Sequence, residues 1–426
     1  MELPLQSPLP HALYGTIDKN LSLLRILAPD NLSDPHGLYR GLREYDPVHW
    51  DPYLHAWVVT TYAEVVEILM HFLADRTPQR SYLEQKDLSS LLPFAEMMSQ
   101  QMMFMDGARH AMLRSLCSAA FTPRRVQELR NEIEAVANRL IDVVIEGGQI
   151  EMVADFANPL PAIITAKLLG VPPEDHAQLH AWVLDLAEVL GNYQQHPDRI
   201  PAILRSLQEL RSYLCQQMRI LETLPRDGLL YSLMTIEVDG KKLSSEEVLA
   251  NTIITLIGGH ETTTNLIASG FLTLVQNPDS LAQLQRDPGI VASAVEELLR
   301  FESPVQHTAR IAPRDVELGG KLIRRGSKVV AVLAAANRDP NRFLDPDRLD
   351  LLRKDNRHLA FGWAAHFCFG APLARLEGQV AFNVLLRRLS NPCLGNQQLE
   401  WRQNAGLRGL VALPVRFEAR PSLSDC

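Results

Sequence analysis

The run from Ser244 to Gln276 constrains this chain more than any other feature, because it reads as one long helix that is apolar on almost every side. Ser244-Ser245-Glu246-Glu247 has the spacing of a capping box, which opens a helix. Ile253, Ile254, Leu256 and Ile257 follow, and the apolar residues on to about Gln276 lie almost all round the helix. A helix without a polar face belongs in a membrane or at the centre of a large core. Gly258-Gly259-His260-Glu261 interrupts the stretch from Val248 to Val275, and no uncharged apolar run reaches the roughly 18–20 residues of a span. The expectation is a central core helix and no membrane anchor. The chain can supply such a core: it has 426 residues, 46% hydrophobic and 22% charged, a composition that excludes disordered and collagen-like chains.

The remaining pattern surrounds this helix with others. Short alternating runs at Val48-His49-Trp50 and Trp57-Val58-Val59-Thr60 read as a hairpin. Thr122 is an N-cap with Pro123 at the first helical position. Val126, Leu129, Ile133, Val136, Leu140 and Val143 follow at steps of three and four until Gly147-Gly148, which predicts one continuous helix. Asn277-Pro278 and Asp287-Pro288 each open a helix, the second ending before Pro304. Lys328 to Leu333 is the best strand, and a last helix starts near Ala371-Pro372. The length would allow two or three domains, but no repeat or linker is visible. The expectation is one large, mainly α domain with small β-sheets over residues 1–426, with a short lead-in at 1–30 and a polar tail at 418–426.

Lys and Arg number 42 against 50 Asp and Glu, a formal charge of −8, which gives no general footprint for nucleic acid. The start, Met1-Glu2-Leu3-Pro4, lacks the basic and apolar regions of a signal peptide. Cys117, Cys215, Cys368, Cys393 and Cys426 are odd in number and scattered without a CxxC pair. That argues against a disulfide framework or a zinc site and fits a reducing cytoplasm.

Two segments break local rules. In the central helix, Gly258 and Gly259 each cost about 1 kcal/mol relative to Ala. Glu261 follows in apolar surroundings, and Thr262-Thr263-Thr264 are mediocre helix formers. One reading is a helix kinked for packing, with threonines bonding to carbonyls one turn back. The other is an opened groove in which a buried carboxylate and a hydroxyl bind water and deliver protons. In Phe361-Gly362-Trp363-Ala364-Ala365-His366-Phe367-Cys368-Phe369-Gly370, a cysteine sits between two phenylalanines just before a helix. A lone cysteine is usually an inert small hydrophobe, yet the amides of a following helix N-terminus favour a thiolate. Such a thiolate can be the axial ligand of a haem iron or a nucleophile, with His366 two residues away as its base. Glu297 and Arg300 share a helix face and can pair, which alone says nothing about function.

Together these segments resemble the cytochrome P450 superfamily, the haem-thiolate monooxygenases, in its soluble bacterial form. His110-Ala111-Met112-Leu113-Arg114 with Phe121-Thr122-Pro123 is similar to the family's helix C segment. Gly258-Gly259-His260-Glu261-Thr262 is similar to its oxygen-activation motif, and Glu297-Leu298-Leu299-Arg300 to its ExxR motif. Asn337-Arg338-Asp339-Pro340 with Pro346-Asp347-Arg348 is similar to the stretch after it, and Phe361 to Gly370 to the cysteine-ligand loop. The resemblance covers nearly the whole chain in order. It implies haem b with Cys368 as iron ligand, His110, Arg114, Arg310 and His366 on the propionates, and Gly258 among the cofactor-binding residues. It makes Glu261 and Thr262 the catalytic, proton-delivering pair, and Glu297, Arg300 and Arg348 a buried structural triad. Ala364 stands where the family usually has a second glycine, whose conformational freedom it lacks. Leu349 stands where an aromatic often follows the triad arginine.

The implied reaction uses O2 and two electrons to hydroxylate or epoxidise an apolar small molecule of secondary metabolism, in a monomeric cytoplasmic enzyme. The electrons come from NAD(P)H through a soluble ferredoxin or flavodoxin and its reductase. Arg109, Arg114, Arg124 and Arg125 make the helix C region locally basic, which is either a steering field for an acidic partner or an ordinary solvated face. Candidate pocket residues are Met102, Met103, Leu256, Ile257, Val305 and Gln306; methionine suits adaptable apolar contact. Three other readings stay open: a ring-coupling, peroxide-driven or non-oxygenating enzyme of the same fold, a haem-binding sensor without turnover, and a colourless hydrolase built on Cys368 and His366.

Overall fold

The Ser244 hydroxyl accepts from the Glu247 amide at 3.2 Å, and the Glu247 carboxylate accepts from the Ser244 amide at 2.9 Å. Both halves of the capping box therefore form, and the helix they open runs without interruption from Ser245 to Gln276. The structure is a computed structural model that describes residues 22–85, 87–188, 199–395 and 397–419. Four helices position the site: α1 (Gly107–Ala120), α2 (Ser245–Gln276), α3 (Val291–Phe301) and α4 (Ala371–Arg388). Nearly all of α2 is buried, as its all-round apolar pattern requires. It packs on α3, α4 and the helix Pro159–Leu169. A Cβ on Gly270 would lie 2.7 Å from Cζ of Phe382, so α2 and α4 approach as closely as a missing side chain allows. Filling that gap would overpack the interface, typically at a cost of about 1–3 kcal/mol.

Nine short strands are described: β1 (Val48–Asp51), β2 (Ala56–Val59), β3 (Gln149–Glu151), β4 (Thr308–Ile311), β5 (Val316–Leu318), β6 (Lys321–Ile323), β7 (Lys328–Ala331), β8 (Leu389–Leu394) and β9 (Pro414–Ala419). They form three sheets, ordered β1-β2-β7-β4, β3-β9-β8 and β5-β6. The expected hairpin is β1 and β2, paired Val48 with Val59 and Trp50 with Trp57. β7 runs parallel to β2 and antiparallel to β4, and Val58, Val329 and Val330 are fully buried there. Arg310 thus sits on an edge strand, opposite Val329, with the sheet's apolar residues behind it.

Four expectations change. The helix after Thr122 is two, Pro123–Glu128 and Arg130–Val144, because the Leu129 amide bonds three residues back to the Val126 carbonyl at 3.1 Å and tightens the turn. The lead-in is shorter than residues 1–30. Leu23 and Ile26 are buried, and Asp51 accepts from the Ser22 hydroxyl and the Leu23 amide, both at 2.9 Å. Residues 1–21 and 420–426 lie outside the described residues, and Glu418 and Ala419 end β9 rather than begin a tail. Met152–Leu169, rather than the central helix, is long and apolar enough by composition to span a membrane, but it is 61% buried within the protein as part of the core.

Candidate active site

Cys368 is placed by the turn that precedes α4. Its amide donates to the Phe361 carbonyl at 2.8 Å, which closes the loop on itself. The amides of Gly370 and Ala371, at the start of α4, bond to its sulfur, and the charges of Arg114 and Arg375 act in the same direction. Burial opposes them and holds the thiol above its ordinary pKa. The residue lies deep among protein atoms and yet presents its side chain to open space. The loop reaches this shape through two left-handed residues, Gly362 at φ +70° and Ala364 at φ +56°. For Ala364 that conformation costs roughly 1–2 kcal/mol, so the methyl group is accommodated under strain. Arg375 holds the loop from outside. It forks onto Glu296 at 2.7 and 2.7 Å and stacks its guanidinium 4.7 Å from the Phe361 ring. Nothing in the sequence singles out Glu296 or Arg375, because their pairing depends on how α3 meets α4.

His366, in the turn Ala364–His366, stacks on the His110 ring of α1 at 4.1 Å and stands 3.5 Å from Asp106. Asp106 also accepts from the amides of Ala74 and Asp75. Burial works against its ionisation, but the His366 bond and these two amides outweigh it and hold the carboxyl at about 2. Burial, then the charges of His366 and Arg114, bring His110 down to about 4. His110 is therefore a neutral ring at pH 7 rather than a cation. With its ring engaged by Asp106 and His110, His366 has no hydrogen bond to Cys368 among the described residues, which removes the support for a hydrolase dyad.

Arg310 is 6% exposed and donates through Nη1 to the Thr308 hydroxyl and the Ala309 carbonyl, both at 2.9 Å. Its Nε is buried without a partner. Burial lowers its pKa to about 10, which the charge of Asp106 only partly offsets. Arg114 is half-buried on α1, with its guanidinium 5.7 Å from the Phe369 ring and no ion pair among the described residues. A buried guanidinium without an acidic partner is costly, and it suits an anionic group brought by a cofactor.

On α2 the backbone stays helical through Gly258 and Gly259. Thr255 and Thr262 donate to carbonyls one turn back, Thr262 to Gly258 at 2.7 Å, so the threonines do what the packing reading expects. The groove is nevertheless present, made by a missing side chain instead of a broken helix. Thr255, Gly258 and Thr262 form an accessible strip on an otherwise buried helix, and a Cβ on Gly258 would meet nothing within 4 Å. Glu261 points elsewhere. It is 4% exposed, and both its oxygens accept from Nη1 of Arg402, at 2.7 and 2.9 Å. His260 is buried against Asn158 at 2.8 Å and stacks on His180 at 4.4 Å. Burial, then the charges of His180 and Arg402, lower its pKa to about 3.

The buried triad has a different third member. Arg300 forks onto Glu297 at 2.8 and 2.8 Å, and both are 0% exposed. Arg353, not Arg348, supplies the second guanidinium, with Nε 3.1 and 3.2 Å from the Glu297 oxygens. The Arg348 side chain is 69% exposed beside Asp350, and only its carbonyl takes part, accepting from Arg300 at 3.3 Å. The loop turns between the two arginines, and the Asp350 amide caps Glu297 at 2.9 Å, so the later arginine reaches inward.

The pocket expectations also divide. Leu256 and Ile257 pack into the core, away from the accessible strip. Gln306 is fully used: Tyr39 donates to its Oε1 at 2.6 Å, and its Nε2 donates to the Ser303 carbonyl at 2.5 Å. Val305 is half-buried in a bridge with Leu407. Met102 is buried and Met103 half-buried. Of the four arginines near α1, Arg109 bonds Gln100, Arg124 pairs with Glu128, and Arg125 bonds Ala120 and Ser232. That leaves Arg114 as the one facing the cysteine loop.

The donor set fits the expected haem: a sulfur capped by two amides, a buried arginine with a free Nε and a half-buried one for carboxylates, and a helix strip without a side chain at Gly258. Comparison with known proteins points the same way. The Cytochrome P450 family model matches residues 93–288 and 289–418. The biotin biosynthesis cytochrome P450 of Bacillus subtilis is 36% identical over 393 residues, covering 91% of this chain and 97% of its own. Cytochrome P450 monooxygenase PikC of Streptomyces venezuelae is 36% identical over 403 residues, covering 92% and 94%. A crystal structure of P450BioI with hexadec-9Z-enoic acid ligated acyl carrier protein matches with a TM-score of 0.85, at 35% identity over 91% of this chain and all of that one.

Proposed function

The chain belongs to the cytochrome P450 family, and on that premise we propose that it hydroxylates or epoxidises an apolar small molecule, with Cys368 as the axial ligand of its haem b. The enzyme is an oxidoreductase that incorporates oxygen, with electrons drawn from NAD(P)H through a redox partner. Haem held by a thiolate supplies the oxygen chemistry, since the sulfur donates electron density that favours O–O cleavage.

The observation that carries this reading is the Cys368 sulfur, accessible and capped by the amides of Gly370 and Ala371. The neutral His110 ring, His366, Arg114 and the free Nε of Arg310 would hold the propionates. Thr262 keeps its hydroxyl on the accessible strip, where it can exchange the Gly258 carbonyl for a water. Glu261 would relay protons after leaving Arg402, whose side chain is 30% exposed and gives the pair a route to solvent. The strip of Thr255, Gly258 and Thr262 offers two hydroxyls and no charged group, which supports an apolar substrate with few polar contacts. The relatives extend that class to acyl chains on a carrier protein and to polyketides. A soluble ferredoxin or flavodoxin is the proposed electron donor in a cytoplasmic setting.

Two optical experiments test the reading. Reduced protein with CO is expected to show the far red-shifted Soret band of a thiolate, and a histidine-like band in folded protein would overturn the role of Cys368. Titration of the ferric protein with free fatty acids, carrier-linked acyl chains, terpenes and macrolides is expected to give a low-spin to high-spin shift with one class. Product formation with a surrogate ferredoxin system would exclude a haem-binding sensor without turnover.

A further inference from the structure

The second half of α4 borders a groove that the haem-thiolate reading does not use. With the helices Arg130–Val144 and Pro278–Arg286 and the turn Pro288–Ile290, it lines a cavity of about 430 Å³. That volume falls within the range of about 300–1,000 Å³ found for small-molecule sites. Along α4 the groove begins at Val380, about 14 Å of helix rise beyond Ala371 and the turn that carries Cys368. Its floor is apolar, because Leu284, Val380 and Val384 belong to the main core and present their outer edges to the cavity.

The polar groups around that floor do not satisfy one another. Glu134, the one carboxylate of the lining, is paired with Arg387 at 3.2 Å, and Arg387 also donates to Asn138 at 3.3 Å. The half-buried Asn383 adds a neutral amide. Arg130 is exposed on the rim and has no ion-pair partner among the described residues. Nε2 of Gln285 is buried and has no hydrogen-bond partner, and a buried donor left unpaired is costly. One unmatched cation and one unused donor over an apolar floor are complementary to an anion with an apolar body. We propose that this groove binds a small amphipathic carboxylate. Its apolar body covers Leu284, Val380 and Val384, and its carboxylate accepts from Gln285 Nε2 and faces the Arg130 guanidinium. A hydrogen bond to a charged group is stronger than a neutral one, whereas an exposed ion pair adds little. Gln285 therefore contributes more of the affinity than Arg130. The site is separate from the Cys368 loop and does not depend on the reaction proposed there.

The test uses the haem-loaded protein saturated with clotrimazole, an iron ligand that keeps other molecules away from the haem. Decanoate is the probe, titrated by calorimetry, and decanol is its uncharged control. A decanoate with a diazirine at its chain end is then photo-crosslinked and mapped by peptide mass spectrometry. Crosslinks are expected in residues 284–288 and 380–387, with the Soret band of the clotrimazole complex unchanged. Decanoate is expected to bind the parent more tightly than decanol. Gln285→Leu is expected to weaken decanoate about tenfold, the factor that corresponds to about 1.4 kcal/mol. Crosslinks confined to other segments, or an unchanged affinity in folded Gln285→Leu, would overturn the proposal. If Gln285→Leu does not fold, Arg130→Glu changes only an exposed position. It is expected to weaken decanoate about threefold and leave decanol as it was, and equal effects on the two probes would overturn the site.

Discussion

Replacing Arg353 or Arg348 by alanine removes the same side chain from the same loop, and the structure assigns the two changes very different costs. The Arg353 side chain is 10% exposed, lies 3.1 and 3.2 Å from the oxygens of a fully buried Glu297, and donates to the Leu344 carbonyl at 2.7 Å. Its loss leaves a buried carboxylate with one cation fewer, a type of change that costs about 3–5 kcal/mol. The retained Arg300 fork and the Asp350 amide keep this case near the lower end. Arg348 is 69% exposed and 3.5 Å from Asp350, a surface pair worth about 0–1 kcal/mol. Against a total stability of about 5–15 kcal/mol, the first change is severe and the second is minor. Urea unfolding of the haem-loaded protein, followed by far-UV circular dichroism and Soret absorbance, reads both. With a slope of about 3 kcal/mol/M, Arg353→Ala is expected to lower the midpoint by about 1 M and Arg348→Ala by less than about 0.3 M. Equal shifts, or the opposite order, would refute the placement of Arg353 over Glu297.

Ala364→Gly relieves a left-handed alanine at φ +56°. The strain removed, roughly 1–2 kcal/mol, exceeds the added unfolded-state entropy of about 0.4–1 kcal/mol, so the variant is expected to gain up to about 1 kcal/mol in the same unfolding assay. Thr262→Ala gives up one bond to the Gly258 carbonyl and is expected to fold and bind haem normally while diverting electrons from product to hydrogen peroxide; unchanged coupling would remove Thr262 from the proton path. His110 and His260 are held at about 4 and about 3 from an ordinary 6.5, so below pH 6.5 the unfolded chain takes up protons that the folded one does not. Stability contributed by both neutral rings is complete above pH 6.5 and is lost as pH falls toward 4 and then 3. His260→Gln can keep a bond to Asn158 without the titration, and it is expected to flatten that slope in pH-dependent unfolding; an unaltered slope would count against a buried neutral His260.

What was legible in the sequence is what short-range physics decides. The capping box at Ser244, the all-round apolar α2, the hairpin at Val48 to Thr60 and the start of α4 after Cys368 each follow from spacing within a few residues. The same locality carried Cys368 itself, because the amides that cap its sulfur belong to residues two and three positions further on. Gly258 and Ala364 were visible as anomalies, and the structure turns one into an open strip and the other into a strained turn.

Partners distant in the chain were decided by the tertiary structure alone. Glu261 meets Arg402, 141 residues on, and Asn251 meets Gln100 and Met102, which come 151 and 149 residues before it. Glu297 takes Arg353 over Arg348 because the loop turns between them, although both arginines carry the same charge at similar distance along the chain. Gln306 has the side chain of a pocket residue and spends it on Tyr39 and Ser303. Local pattern sets which side chains can be buried or charged. Which of several equivalent groups pays the desolvation of a buried partner depends on the path of the backbone between them, and only the assembled fold contains that path.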